Sequence, residues 1–294
     1  MRVTDAALFD RSQRGLSLVR SSYMAAQQRA MTGKRVNAPS DDPLAASLSR
    51  RVQARLARFE AHGRAIDAGD RRLQATDAAL SQVGAVMDRI RQIAIQFAND
   101  TYGADERAMA AAEVVELKAA LVSLGNTEVG GQHLFAGYRD AAAPFDAAGA
   151  YSGDGAEPEL DVAPGLRVKV GVSGAQAFGV GAGVNLFATF DVLSAALFAN
   201  DGASVRATID SIATGVEQVA DVRGTAGVRM QALAAARSAV ERLSEQSRAT
   251  QASLVEIDAV EAFSDLARAE HALTAAVQVA SMLPPPGLAG GSTR

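Results

Sequence analysis

The chain has 294 residues, of which 48% are hydrophobic and 21% charged, so it is not a disordered composition and has room for one large domain or a few smaller ones. Aromatics are only 5%, tryptophan is absent and much of the apolar content is alanine, which suits thin helical layers better than a thick globular core. The lack of cysteine excludes disulfides, thiolate metal sites and cysteine nucleophiles.

The net charge of −4 is unevenly spread: residues 1–72 hold 14 basic and 7 acidic side chains, and residues 205–283 hold 7 and 10. A basic N-terminal third is one route to nucleic acid binding. Here the basic residues are interleaved with apolar and small ones, which points instead to solvated helix faces pairing with acidic neighbours.

In chain order, Thr4 or Asp5 can cap a first helix over 5–32. Its seam is Leu16, Val19, Tyr23, Ala26 and Ala30, in alternating steps of three and four. Gly33 suits the left-handed conformation of a helix end. In the connector over 33–43, Arg35 and Asn37 precede the acidic pair Asp41-Asp42 and Pro43. Asp42 is the natural N-cap of a second helix, Pro43 suits its first position, and Asp41 adds negative charge beside its positive end. The acidic pair therefore reads as a helix start, not a metal site, because no other ligand lies near it in sequence.

The second helix is expected over 44–98, with a seam of Leu73, Thr76, Leu80, Val83, Met87, Ile90, Ala94 and Phe97. At about 1.5 Å per residue it would span about 80 Å, which implies an elongated molecule. Gly63 and Gly69 mark a bend or break in it. After a turn at 99–105, a third helix over 105–127 places Met109, Ala112, Val115, Ala119 and Val122 on one face, and Gly130-Gly131 stops it.

From 134 to about 185 the texture changes to proline and glycine. Residues 160–162 and 166–172 alternate apolar and polar around a Pro164-Gly165 turn, which reads as a small β-rich insertion. Gly179-Val180-Gly181-Ala182-Gly183 is an incomplete dinucleotide-loop pattern without the strand–loop–helix context, and reads as a flexible edge of that insertion.

Helical signal returns over 189–199 and 204–222, is interrupted at Gly224 and Gly227, and resumes over 228–282. The last seam is Leu266, Ala269, Leu273, Ala276, Ala280 and Leu283, ended by Pro284-Pro285-Pro286 and a tail of flexible composition. The first and last helices carry matching small-residue seams and are expected to pack side by side.

The fold class is thus mainly α: an elongated antiparallel helical bundle or coiled coil from the N- and C-terminal segments, with a small β-rich inserted domain. The expected divisions are an N-terminal assembly helix and connector (1–42), two halves of a helical rod (43–133 and 189–258), the insertion (134–188), a C-terminal assembly helix (259–283) and a flexible tail (284–294).

Catalytic chemistry is not visible. His62, His133 and His271 lie in no metal-ligand spacing, no phosphate-binding or nucleophile-elbow motif occurs, and nothing assembles a nucleophile, base and orienting group. No cofactor is implied. The first residues lack a charged leader followed by an apolar run, so no cleavable secretory signal is expected. No apolar run of about 20 residues exists, so membrane insertion is not expected either.

Several motifs together carry a family resemblance. Thr32-Gly33-Lys34-Arg35-Val36-Asn37 followed by Ser40-Asp41-Asp42-Pro43-Leu44-Ala45-Ala46 resembles the N-terminal signature of the bacterial flagellin superfamily. Arg89 to Gln96 with Ala98-Asn99 resembles its second block, and Ala262-Phe263-Ser264-Asp265-Leu266 resembles its C-terminal helix. Leu134-Phe135-Ala136-Gly137-Tyr138, Pro144-Phe145 and Tyr151-Ser152-Gly153-Asp154 are similar to the branch that joins hook and filament. The Pro284-Pro285-Pro286 ending departs from the family's apolar helix end.

The resemblance implies a non-enzymatic structural subunit with a coiled-coil inner layer, exported through the flagellar type III channel without a cleaved signal. It implies self-association in a ring or helical zone. It further implies contact with the first hook–filament junction protein and with flagellin, and an export chaperone in the cytosol. A minor flagellin is the alternative within that class, and a coiled-coil adaptor binding nucleic acid the alternative outside it. Expected assembly residues are Leu16, Val19, Tyr23, Arg35, Asn37, Asp41, Asp42, Pro43, Arg89, Ile93, Glu113, Leu266, Leu273 and Leu283. Arg89, Ile93 and Glu113 also fall where flagellin's innate-receptor contacts would lie, and read here as helix-face packing residues.

Overall fold

The structure, a computed structural model, describes residues 2–282. Leu283 and the triple-proline tail lie outside the described residues. In chain order the elements are α1 (Arg2–Thr32), α2 (Pro43–Phe97), α3 (Ala104–Gly125), β1 (Glu128–Val129), β2 (Gln132–His133), β3 (Glu159–Ala163), β4 (Leu166–Lys169), α4 (Gly174–Phe178), α5 (Leu186–Phe198), α6 (Gly202–Val255) and α7 (Ala259–Met282). The described residues divide into two compact units: a terminal unit of residues 2–58 and 243–282, and a central unit of residues 59–242. Both units draw on α2 and α6.

In the central unit, the α2 seam is buried from Leu73 to Ala94, and Phe97 at its end stacks obliquely on Tyr102. A matching seam on α6, with Val205, Thr208, Ile212, Gly215 and Val219, is also buried. Its steps are the same three and four. Asp77 of α2 receives both Arg223 Nε (2.7 Å) and Arg223 Nη2 (3.3 Å) from α6. The two-stranded sheets are antiparallel hairpins: β1–β2 pairs Glu128 with His133, and β3–β4 pairs Leu160 with Val168.

Three expectations about glycine are overturned. Helix α2 runs through Gly63 and Gly69, and α6 through Gly224 and Gly227, without interruption. At Gly69 the missing side chain serves packing, since a Cβ there would stand 2.7 Å from Val170 and 3.3 Å from Leu233. Helix α3 stops at Gly125, before Gly130-Gly131, and that pair instead forms the β1–β2 turn with both φ angles positive. A buried helix backbone keeps its hydrogen bonds through one glycine at a cost near 1 kcal/mol, which tertiary packing overrides.

The expected stretch over 228–282 is two helices, because Glu256-Ile257-Asp258 leaves the helix to pair with the chain at Gly33-Lys34. The insertion is also less β-rich than expected. Its strands are short, and most of it is loop wrapped around aromatic rings. Phe178 is its hub: ring centroids lie 4.8 Å away at Phe145, 5.4 Å at Phe135 and 5.6 Å at Phe187. The Gly179–Gly183 loop is no sheet edge. Gly179 caps α4 in the left-handed conformation, and Gln218 of α6 holds the loop by accepting from Val184 N at 3.0 Å and donating to Ala177 O at 3.3 Å.

Candidate assembly surfaces

The terminal unit is built on α1 and α7. Lys34 pairs antiparallel with Glu256, and Arg29 approaches Asp265 at 3.8 Å, so α1 and α7 run antiparallel away from that crossing. The least exposed positions are the seam positions: Leu16, Val19, Tyr23 and Ala30 are half-buried and Ala26 is buried, opposite half-buried Leu266, Ala269, Leu273, Ala276 and Ala280. On the outer faces, Leu18, Met24 and Met31 of α1 and Val260, Phe263 and Val279 of α7 are each more than half exposed. The pair therefore carries apolar side chains on its outer faces as well as along the seam between the two helices.

The connector ties this pair to α2 and α6. Gly33 takes a φ of +65°, the left-handed conformation at the end of α1. Arg35 N donates to Val255 O at 2.7 Å, Arg35 Nη2 to Leu254 O at 3.0 Å, and Ile257 N to Gly33 O at 3.1 Å. The two Arg35 bonds satisfy carbonyls that the end of α6 leaves without helical partners, and the guanidinium sits where the helix dipole favours a cation. Val36, Ala45 and Val255 form a small core beneath.

Asp42 is the N-cap of α2. Its Oδ1 accepts from Ala45 N at 2.9 Å and its Oδ2 from Arg35 Nη1 at 3.1 Å. Pro43 occupies the first helical position. The Ala45 bond and then Arg35 hold the Asp42 carboxyl below its ordinary value. Asp41 has a different task from the expected one. Its carboxylate accepts from Ala38 N (2.8 Å) and Asn37 N (3.0 Å), which folds the connector on itself and lowers its own pKa. Asn37 Nδ2 donates to Lys34 O at 2.9 Å. The Arg35–Asn37–Asp41–Asp42–Pro43 group thus forms one clamp.

The second block resolves differently. Arg89 and Glu113 pair with each other in a fork, Nε to Oε1 at 2.6 Å and Nη2 to Oε2 at 3.0 Å, and staple α2 to α3 while both remain partly exposed. Ile93 is 1% exposed and belongs to the core, so its side chain is closed to any partner. The α3 face expected to pack inward faces solvent: Met109 is 68% and Val115 48% exposed, and Arg107, Ala110, Ala111, Val114 and Leu121 are buried instead. Counting apolar residues on a short alanine-rich helix selects the wrong stripe, because alanine fits either side.

The insertion motifs are structural. Tyr151 Oη donates to Phe135 O at 2.9 Å, and the Asp154 carboxylate accepts from Tyr138 N at 3.1 Å and Ala156 N at 3.0 Å. Gly137, at φ +74°, lies so close to Asp154 that a Cβ would overlap the carboxylate. Glu157 anchors the β3–β4 hairpin to α6 through Lys169 (2.8 Å) and Arg229 (2.6 Å). Burial pushes the Glu157 carboxyl up, and these two cations outweigh it and hold it below its ordinary value.

The α6 seam and the Glu157 anchor were not singled out from sequence. The seam had a signal in its steps of three and four, while the anchor joins residues too far apart for spacing to reveal. His62 meets the hairpin, with its Nδ1 3.1 Å from Asp161 O; His133 Nδ1 lies 2.9 Å from Asn126 O; His271 is exposed. Among the described residues, no group of His, Asp or Glu side chains converges to hold a metal ion, and no helix is long and apolar enough to cross a membrane.

The comparisons agree with this architecture. Residues 10–140 match the bacterial flagellin N-terminal helical region. Flagellar hook-associated protein 3 of Salmonella typhimurium is 29% identical over 180 residues, 60% of this chain and 57% of the relative. That of Escherichia coli is 28% identical over 211 residues, 67% of each chain. The chain thus spans under two thirds of the Salmonella relative's length. A solved flagellar hook-associated protein from Vibrio parahaemolyticus superposes with a TM-score of 0.68 at 19% identity, covering 74% of this chain and all of that one. One from Legionella pneumophila superposes with a TM-score of 0.63 at 15% identity, covering 70% and 98%. At those identities, the superpositions establish the fold.

Proposed function

We propose that this chain, a member of the bacterial flagellin superfamily, is a structural subunit of the flagellum that joins hook to filament through its terminal helices. The observation that carries this reading is the α1–α7 pair, whose seam is rich in small residues and whose outer faces expose Leu18, Met24 and Phe263. Such a layer gains stability when neighbouring subunits cover it.

Copies of the chain associate in a ring or helical zone, between the first junction protein on the hook side and flagellin on the filament side. Before secretion, an export chaperone in the cytosol covers the apolar face of α7. In the assembly the connector clamp sets the angle at which α1 and α7 leave α2 and α6. Arg89 and Glu113 keep one exposed face each for packing between subunits.

A minor flagellin is less favoured. The flagellin of Listeria monocytogenes is 27% identical over 113 residues, a shorter match than those to the hook-associated proteins. A strain lacking this chain distinguishes the readings. It is expected to build hooks without attached filament and to release flagellin into the medium; intact filaments in that strain would overturn the proposal.

A further inference from the structure

The terminal unit holds opposite charge on its two chain segments. Residues 7–58 carry ten basic and three acidic side chains, and residues 243–282 carry six acidic and two basic. Two oppositely charged segments folded together would be expected to pair along their length. Among the described residues they meet in one ion pair, the 3.8 Å contact of Arg29 with Asp265. The other ion pairs of the unit, Arg35–Asp42 and Arg268–Asp265, each stay within one segment.

The remaining charges point outward. Arg51, Arg55 and Arg58 are exposed at helical steps of four and three, so they form one stripe along the start of α2, flanking the buried Ser49 and Val52. None of the three has a carboxylate within ion-pair distance among the described residues. On the C-terminal segment, Glu256 and Glu261, which flank the start of α7, are exposed and equally unpaired among the described residues.

We infer that the arginine stripe of α2 docks on the exposed glutamates around the start of α7 in a second copy of this chain. In the ring or helical zone proposed above the contact is heterologous: the basic patch of each copy meets the acidic patch of the next. Heterologous contacts generate rings when the rotation closes and helical arrays when it does not. Charge of this kind selects partner and register and excludes like-charged approach, while the apolar faces of α1 and α7 supply the buried area. The inference rests on the proposed function, and it adds the register device that the apolar faces lack.

The test reverses each patch in the full chain and complements the deletion strain. The R51E/R55E/R58E and E256R/E261R chains are each expected to lower attached filaments per cell by about tenfold or more. Both sets combined in one chain are expected to restore attachment to at least about half, because the reversed patches again match. The conservative R51K/R55K/R58K chain is expected to attach filament normally, and circular dichroism of each purified chain checks that it folds. Unchanged attachment by either reversed chain would overturn the inference, as would failure of the folded, exported double-reversed chain to restore it. Loss of filament in the deletion strain with no effect of the reversals would leave the proposed function standing and remove this inference alone.

Discussion

The two units follow the same helical pattern with different material. The buried apolar side chains of the terminal unit are Ala26, Val36, Ala45, Val52, Val255 and Ala262. The central unit buries Phe135, Phe145, Phe178, Phe187 and Phe190 together with Leu80, Met87 and Ile90. At about 25 cal/mol per Å² of apolar area, an alanine seam offsets little of an ordering cost near 1–2 kcal/mol per residue. Periodicity therefore sets which face a helix buries, and side-chain volume sets whether that burial suffices without neighbours. The central unit is therefore expected to hold its fold in the free chain, and the ends of the terminal unit to order fully only when neighbours cover them.

The strongest test of the comparison removes its best-packed residue. Phe178→Ala leaves a void among Phe135, Phe145 and Phe187, and is expected to cost about 3–5 kcal/mol in urea unfolding of the central unit. Next comes hydrogen exchange on the free chain. Amides over 7–30 and 260–282 are expected to exchange at least about a hundredfold faster than those over 73–94, a difference of roughly 2.7 kcal/mol. Equal protection would erase the distinction between the units. A smaller effect is expected at the hairpin anchor: Glu157→Gln removes the charge that Arg229 and Lys169 share and is expected to cost about 2 kcal/mol, read as faster exchange over 159–169.

How much of this was legible in the sequence follows the same division. The α2 seam could be read residue by residue, because Leu73, Leu80, Met87 and Ile90 are large and the steps of three and four admit one face. The N-cap at Asp42 was legible for a local reason: cap, proline and helix start are adjacent in sequence. The α3 face was misread because Ala110, Ala111 and Val114 are buried while Met109 and Val115 are exposed, and alanine gives no signal of side. Arg89 and Glu113 were identified as helix-face residues, but their pairing with each other depends on the turn between α2 and α3, which spacing does not encode. The break at Glu256 was missed because its cause is the distant Gly33–Lys34 strand-like contact.

The smallest expected effect sharpens the comparison at the clamp, where local chemistry and not apolar volume holds the terminal unit. Asp41 and Asp42 both have carboxyl pKa values lowered from 3.8, Asp41 by the Ala38 and Asn37 amides and Asp42 by the Ala45 amide and then Arg35. A lowered carboxyl pKa means that the folded state binds the proton less readily than the unfolded state. The stabilisation is therefore fully present above the unfolded value of 3.8 and is lost as pH falls through the lower folded values. Acidification from pH ~5 to ~2 is expected to raise amide exchange at Asn37, Ala38 and Ala45 before it raises exchange over 73–94. Asp42→Asn keeps a capping oxygen but no charge, so it is expected to flatten the pH response at Ala45 while leaving that at Asn37 and Ala38, which depends on Asp41. A response at all three amides that survives Asp42→Asn and Asp41→Asn together would mean that the clamp draws its stability from the small Val36–Ala45–Val255 core, and the two units would then differ in the volume of their cores alone.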